Sequence, residues 1–555
     1  MALPLLAAAV LAVLALGYRF YGRLVARQFD LDDGRPTPAH VHADGVDFVP
    51  TRRFYLFGQH FSAIAAAGPI VGPILAAQQF GWLPALLWIC GGVVFIGAVH
   101  DVSTLVASVR HGGQTIAEVV RVNLGRRAWL AILAFIWLAL IYVMVAFVDV
   151  TASTFVTGDA DAAGLALRFN PGGAVALASV LYLGLAVVMG LVEKLARPPL
   201  WLSTVIFVPA TFVCIYLGTE FSTVLTLDWM TWVVLILLYC FAASLSPMWL
   251  LLQPRGYLGG FVLYAALAVG TLGIFFGGFE IQQPAFRGWS TAGDAGMLFP
   301  FLFVTIACGA CSGFHGLVCS GTTSKQIDRE SHCHPIGYGA MLLEAFVAVI
   351  ALATVMIVAP AAAKGAGPNA LYAGGLGAFL HELFGISKVV ATTFGAMALS
   401  TFIFDTLDSA TRLGRYILQE LAGSRSRASA VVATAITVGT PLVFLLMAKQ
   451  GSFRLFWTLF GSSNQLLAGL SLLAIAVWRR RQGKRAWFAI GPMVFVLLVT
   501  VASLSLGARQ VLAATVGSAA WINGLVSVVL LALAALLTVD GARAWRAGPV
   551  ATPAA

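Results

Sequence analysis

Residues 61–73 read Phe61-Ser62-Ala63-Ile64-Ala65-Ala66-Ala67-Gly68-Pro69-Ile70-Val71-Gly72-Pro73. The stretch is apolar enough to lie inside a membrane, yet it carries two Gly-Pro pairs four residues apart. Proline removes a backbone donor and clashes with the preceding turn. Glycine loosens the backbone further. Together they predict a membrane helix that unwinds for a turn at Gly68–Pro73. Bare backbone groups at that depth are tolerated only where they are buried in protein or line a wet cavity. The alternative is a kinked packing helix with no site beside it.

A second stretch has the same character. Residues 307–316 read Ala307-Cys308-Gly309-Ala310-Cys311-Ser312-Gly313-Phe314-His315-Gly316, small residues with three glycines inside an apolar run. Paired discontinuous helices of opposite direction point to an inverted-repeat secondary transporter. The N-termini of such half-helices offer positive dipole ends to an anionic group.

Composition sets the class around these two stretches. Of 555 residues, 60% are hydrophobic and only 10% charged, against about 25% charged in soluble domains. That excludes a soluble enzyme and a disordered chain. Apolar runs delimit about fifteen spans at ~20 residues each, the first near 2–17 and the last near 518–539. Intermediate ones are placed at 61–79, 83–108, 229–252, 257–279, 299–320, 337–360 and 386–410. The net charge of +10 is explained by the positive-inside bias of cytoplasmic loops. No basic patch interleaved with aromatics occurs, so no nucleic-acid partner is expected; the partner is the lipid bilayer. With the N-terminus outside, Arg19, Arg23, Arg27, Arg110, Arg121, Arg412, Arg415, Arg425 and the run Arg479-Arg480-Arg481 all fall on the cytoplasmic side. The C-terminus is then cytoplasmic too. Arginines follow the first apolar run instead of preceding it, so that run reads as a retained helix and not a signal peptide. The expected architecture is all-α and polytopic, with a 5+5 inverted-repeat core. Its segments are a first helix and loop (1–60), a first repeat (61–218), an inserted pair (219–298), a second repeat (299–477) and peripheral C-terminal helices (478–555).

Ionisable residues at membrane depth are functional hypotheses by default. They are His60, His100, Asp101, Asp149, His315, Glu344, Asp405 and Asp408. Histidine titrates near neutral pH, so His60, Asp101, His315, Glu344 and Asp408 are the expected proton-handling groups. Each also has a plain structural reading. Asp408 and Arg412 are four apart and can pair on one helical face. Ser400 and Thr401 offer hydroxyl oxygens to a sodium ion. Asn464 and Gln465 either cross-link helices or face a cavity. The expected substrate contacts are Gly68, Pro69, Gly72, Pro73, Cys308, Ser312, Gly313, His315, Asn464 and Gln465.

Other chemistries find little support. Cys308, Cys311, His315 and Cys319 would share one face of a regular helix, but Cys308 and Cys319 would then stand about 16 Å apart, too far for one ion. Asp30, Asp32, Asp33 and Gly34 fail the EF-hand spacing. Seven cysteines, mostly within apolar runs, do not form a disulfide framework. No HExxH, GxSxG or P-loop pattern occurs, so no enzyme, cofactor or resident metal is expected.

At this point the sequence resembles the carbon starvation protein A family of bacterial inner-membrane transporters. The resemblance is carried by Arg35-Pro36-Thr37-Pro38-Ala39-His40, Phe57-Gly58-Gln59-His60-Phe61, Ala67–Pro73, Gly97-Ala98-Val99-His100-Asp101, Ser312-Gly313-Phe314-His315, Ser320-Gly321-Thr322-Thr323-Ser324-Lys325, Leu407–Arg412 and Gly461–Gln465. It covers about residues 30–480. It implies uptake of peptides or pyruvate with protons during nutrient limitation, on the inverted-repeat fold of the amino acid–polyamine–organocation transporters. The family usually has a second His where Gln59 stands, and often Gln where His100 stands. The functional expectation is an importer of small carboxylate-bearing nutrients in the bacterial inner membrane. Its rivals are a nutrient sensor with a transporter-like core and a sodium-coupled symporter.

Overall fold

The computed structural model describes residues 2–45, 47–156, 169–290, 296–424 and 426–548; Arg425 lies outside them. Among the described residues there is no β-sheet, only three isolated bridges. Among the described residues twelve helices are long and apolar enough to cross a membrane, or thirteen if the bent pair Arg53–Ile64 and Gly68–Phe80 forms one span. Trp229–Leu245 is a shorter apolar helix.

The chain divides into two compact units. The first comprises Met1–Ala7, Leu140–Pro284 and Ile350–Trp457; the second comprises Ala8–Ala139, Ala285–Val349 and Thr458–Ala555. Burial sorts the helices. The most apolar window of Leu200–Glu220 is only 28% buried. Its Trp201, Val205, Ile206, Phe212 and Val213 are exposed, as side chains facing lipid must be. Phe453–Arg481 is fully buried over its corresponding window, although it carries Ser462, Ser463, Asn464 and Gln465. Polar side chains so placed need protein partners.

Several element boundaries differ from the sequence expectation. The first helix runs on through a π turn to Gln28, so Arg19, Arg23 and Arg27 are helical and the loop that follows starts later than expected. The span expected at 257–279 starts at Leu252, which places Arg255 inside a helix. The span expected at 386–410 is the 34-residue helix Lys388–Leu421, which runs on past the expected end. An additional helix, Pro368–Phe384, precedes it. Its glycines and polar residues dilute the apolar signal, but they serve close packing. A Cβ at Gly377 would sit 2.8 Å from Thr392 Oγ1, and one at Gly395 would sit 2.9 Å from Ala373 Cα. The two helices therefore meet backbone to backbone.

Candidate functional site

Both sequence breaks are present, and the first is displaced. Arg53–Ile64 and Gly68–Phe80 meet at 47°, with the helix interrupted at 65–67. Gly68, Pro69, Gly72 and Pro73 are not unwound; Gly68 and Pro69 open the second half-helix, and Gly72 and Pro73 lie inside it. The reason is positional. A proline in the first helical turn lacks only an N–H that would be unpaired anyway, so the chain breaks before Pro69. The second break falls where expected. Leu298–Thr305 and Gly313–Gly321 are separate half-helices, joined by non-helical backbone over 306–312. This corrects the one-face reading of the cysteines, because Cys308 and Cys311 lie in the unwound segment. Among the described residues no group of three or more His, Cys, Asp or Glu is arranged to hold a metal ion.

A break leaves carbonyls and amides without helical partners, and side chains of the second unit take them up. Trp88 Nε1 donates to Ile306 O at 3.1 Å and to Phe303 O at 3.2 Å. Gln465 Nε2 donates to Phe303 O at 2.8 Å. Asn464 Oδ1 accepts from Phe314 N at 2.9 Å, and its Nδ2 reaches Ser312 Oγ at 3.1 Å and Cys308 Sγ at 3.2 Å. Asn464 and Gln465 therefore cross-link helices around the break. Packing there is tight. A Cβ at Gly68 would collide with Cys308 Sγ, and one at Gly72 would lie 2.5 Å from Thr305 O. At Gly313 it would meet Asn464 O, Leu467 Cβ at 2.5 Å and Ala468 N at 2.6 Å. Backbone cannot yield as a flexible side chain can, and overpacking costs about 1–3 kcal/mol. Gly313→Ala is therefore expected to lower the melting temperature of the detergent-solubilised protein by several degrees. An unchanged melting curve would contradict this packing.

Beside the second break, buried ionisable groups meet. Asp101 lies on Ala98–Arg110, His315 in the first turn of Gly313–Gly321 and Glu344 in the first turns of Ala340–Met356. All are buried. His315 Nδ1 is 2.9 Å from Asp101 Oδ2, and its Nε2 is 3.2 Å from Glu344 Oε2. That second contact has ion-pair distance without hydrogen-bond alignment, and neither Glu344 oxygen has an aligned donor. The geometry sets a proton count. A neutral imidazole has one N–H and one bare nitrogen. Both ring nitrogens of His315 face carboxylate oxygens, so a neutral ring would turn one bare acceptor on another. The cluster is satisfied only with one further proton, carried by the imidazole or by a carboxylate.

Sequence reading counted His100 as ionisable but left it out of the site. Its Nδ1 is 2.8 Å from Asp101 Oδ1, and its Nε2 is buried with no partner. Adjacency to Asp101 was the available signal. His60 is buried nearby but turns to Thr323, with Nδ1 2.9 Å from Oγ1. It is the eighth residue of Arg53–Ile64, in its third turn, not at the start of a span.

Segment 29–52 is fastened to the second unit's own helix ends. Glu330, 3% exposed, lies 3.0 Å from Arg110 Nη2 and 3.4 Å from Arg35 Nη1. Asp33 accepts from Ser331 N and Oγ, both at 2.9 Å. The hydrogen bond from Lys484, at 2.6 Å, holds the Asp30 carboxyl below the usual carboxylate range. These acidic residues therefore serve as loop anchors.

The remaining expected residues belong to the first unit. Asp408 does not pair with Arg412. Its ion pair is with Arg255, at 3.0 Å, and Tyr239 OH donates to it at 2.8 Å. Arg412 Nη2 instead donates to Ala243 O at 2.8 Å and Ser246 O at 3.1 Å. Arg415 Nη1 donates to Ser244 O at 2.6 Å. The two arginines thus cap the free carbonyls that end Trp229–Leu245. Ser400 Oγ is 3.1 Å from Ser179 Oγ, and Thr401 is buried. Asp149 is also structural. It accepts from Trp229 Nε1 at 2.9 Å, Gly451 N at 3.2 Å and Phe453 N.

Helices long and apolar enough to cross a membrane, with buried histidine–carboxylate contacts in the second unit, define a multi-pass membrane protein. The family model described as Carbon starvation protein CstA matches residues 1–365 and 357–503, and the chain belongs to that family. It is 32% identical to a protein named Peptide transporter CstA from Campylobacter jejuni, over 89% of this chain and 79% of that one. It is 31% identical to the Bacillus subtilis Peptide transporter CstA, over 97% and 96%. It is 30% identical to the Escherichia coli Pyruvate/proton symporter BtsT, over 90% and 80%. A solved Eremococcus coleocola manganese transporter overlays at 15% identity with a TM-score of 0.44, over 90% of this chain and 99% of that one.

Proposed function

We propose that this protein is a secondary active transporter of the bacterial inner membrane, importing short peptides or pyruvate in symport with protons under carbon limitation. The observation that carries the reading is His315, held between Asp101 and Glu344 one turn beyond a broken helix. The proton count of that cluster changes by one when His315 or either carboxylate titrates. A group beside an unwound segment can couple that change to helix movement. The relatives named for peptide transport and for pyruvate/proton symport supply the substrate classes. Both substrates present a carboxylate, which suits the positive end of the half-helix beginning at Gly68.

In this reading the helix broken at 65–67 and the helix broken at 306–312 are equivalent members of two inverted five-helix repeats among about fifteen spans. The N-terminus is periplasmic and the C-terminus cytoplasmic. His60, Asp101, His315 and Glu344 handle the coupling proton. Gly68, Pro69, Gly72, Pro73, Cys308, Ser312 and Gly313 form the substrate environment.

Proteoliposomes under an inward proton gradient test this. Uptake of labelled pyruvate or of a labelled dipeptide should exceed the level reached without the gradient, and a protonophore should collapse it. Saturable binding without flux would overturn the reading and favour a nutrient sensor. Accumulation driven by sodium and indifferent to the protonophore would overturn the proton assignment.

A further inference from the structure

We propose that Asp405, in the first unit, is a second proton-binding carboxylate beside the fixed ion pair of Arg255 and Asp408. Arg255 is fully buried on Leu252–Phe276. Its Nη2 lies 2.6 Å from Asp405 Oδ1 and 3.0 Å from Asp408 Oδ2. Two carboxylates one helical turn apart thus share one guanidinium nitrogen. Their positions are not equivalent. Asp408 is 2% exposed and has Tyr239 OH as a second donor. Asp405 has only Arg255 among the described residues, and its side chain is 26% exposed.

Charge balance points to the proton. Arg255 and Asp408 form a neutral pair, and ionising Asp405 beside them adds a partly buried negative charge next to Asp408, which low-dielectric surroundings disfavour. Arg412 and Arg415 donate to the carbonyls of Ala243, Ser244 and Ser246, and the cation in ion-pair contact with Asp405 is Arg255. A proton on Asp405 removes that added charge. Independently, Asp408 Oδ1 is buried with no hydrogen-bond partner. A carboxylic acid O–H on the adjacent turn is within side-chain reach of such an acceptor.

The local packing keeps room for that carboxyl group. A Cβ at Gly259 would come within 3.1 Å of Asp405 Oδ2 and 3.3 Å of Tyr182 OH. Other titratable groups facing the site are Tyr182, which donates to Arg255 O at 2.7 Å, together with Tyr239, Cys240 and Cys214. On the hairpin partner Pro368–Phe384, His381 and Glu382 sit beside the turn at 385–387, several helical turns from Asp405. On Arg427–Leu446 the charged residue is Arg427, at its start.

Protonation of Asp405 does not depend on the symport reading; an additional coupled proton does. Infrared difference spectra of the reconstituted protein, stepped in pH without substrate, separate the two. The wild type should show a carboxylic acid C=O band that titrates with pH. Asp405→Asn should lose it, Asp405→Glu should keep it at a shifted frequency, and Asp408→Asn should move its titration to more acid pH. An Asp405→Asn spectrum identical to wild type overturns the assignment. Reversal potentials then test coupling. The wild type should carry one more proton per substrate than Asp405→Asn, and equal ratios would overturn the coupled role while leaving the infrared result standing.

Discussion

Asp101→Asn and Glu344→Gln should each abolish proton-driven accumulation while leaving substrate counterflow within several-fold of wild type. Both amides keep the size of the carboxyl group, so the packing around His315 is retained. What they remove is an acceptor that can also take up a proton. In the wild type, His315 presents one ring nitrogen to Asp101 and the other to Glu344, and the extra proton can rest on any of the three groups. With an amide on one side, a neutral His315 can accept from the amide N–H and donate to the remaining carboxylate, so the cluster no longer requires the extra proton. Exchange needs only the movement of loaded carrier and survives; net uphill transport needs the proton and does not. Internal substrate should therefore rise no higher than its external concentration. Counterflow measured beside gradient-driven uptake checks this. Parallel loss of both activities would mean that the cluster only holds the fold, and wild-type accumulation in both variants would remove it from the mechanism.

The other large effect is on stability. Arg255→Met should prevent accumulation of folded protein, and Asp408→Asn added to it should restore a substantial fraction. Arg255 is fully buried and Asp408 nearly so. Removing one partner of a buried ion pair costs about 3–5 kcal/mol, because the other charge is left uncompensated. Neutralising Asp408 removes most of that penalty, and Tyr239 can still donate to the amide oxygen. Asp405, when it carries its proton, leaves no charge behind. Size-exclusion profiles and membrane yields of the two variants read this directly. A stable, monodisperse single variant would show that the pair contributes little.

The residues that sequence reading located best are those whose chemistry is out of place in a membrane. Asp101, beside His100, and His315 and Glu344 stand in apolar runs, and the fold brings the three into contact. Local rules were less reliable wherever tertiary structure offered a better partner. Asp408 and Arg412 have the spacing of a helical ion pair, yet Arg255 takes the carboxylate and the end of a neighbouring helix takes Arg412. Arg255 itself was missed because Gln253-Pro254-Arg255 reads as a polar connection. Proline is tolerated in a first helical turn, so those residues begin a helix instead. The same rule moved the first break from Gly68–Pro73 to 65–67. The cysteine stripe depended on a regular helix that the second break interrupts. The amides at Asn464 and Gln465 admitted two readings, and only the positions of Phe303, Ser312 and Phe314 decide between them.

The shared guanidinium has a consequence for how the chain is made. Ribosomes deliver Arg255 to the membrane well before Asp405 and Asp408 exist, since those residues lie on a helix more than a hundred residues downstream. An arginine at the centre of a newly inserted helix costs roughly 2.5–3.5 kcal/mol on insertion scales. Arg255 avoids that position: it is the fourth residue of Leu252–Phe276, near enough to the helix end for its long side chain to reach the lipid headgroups. The segment can therefore wait at the interface with its charge hydrated. Arrival of Lys388–Leu421 then draws the arginine inward, so that assembly of the first unit is ordered by synthesis and completed by charge.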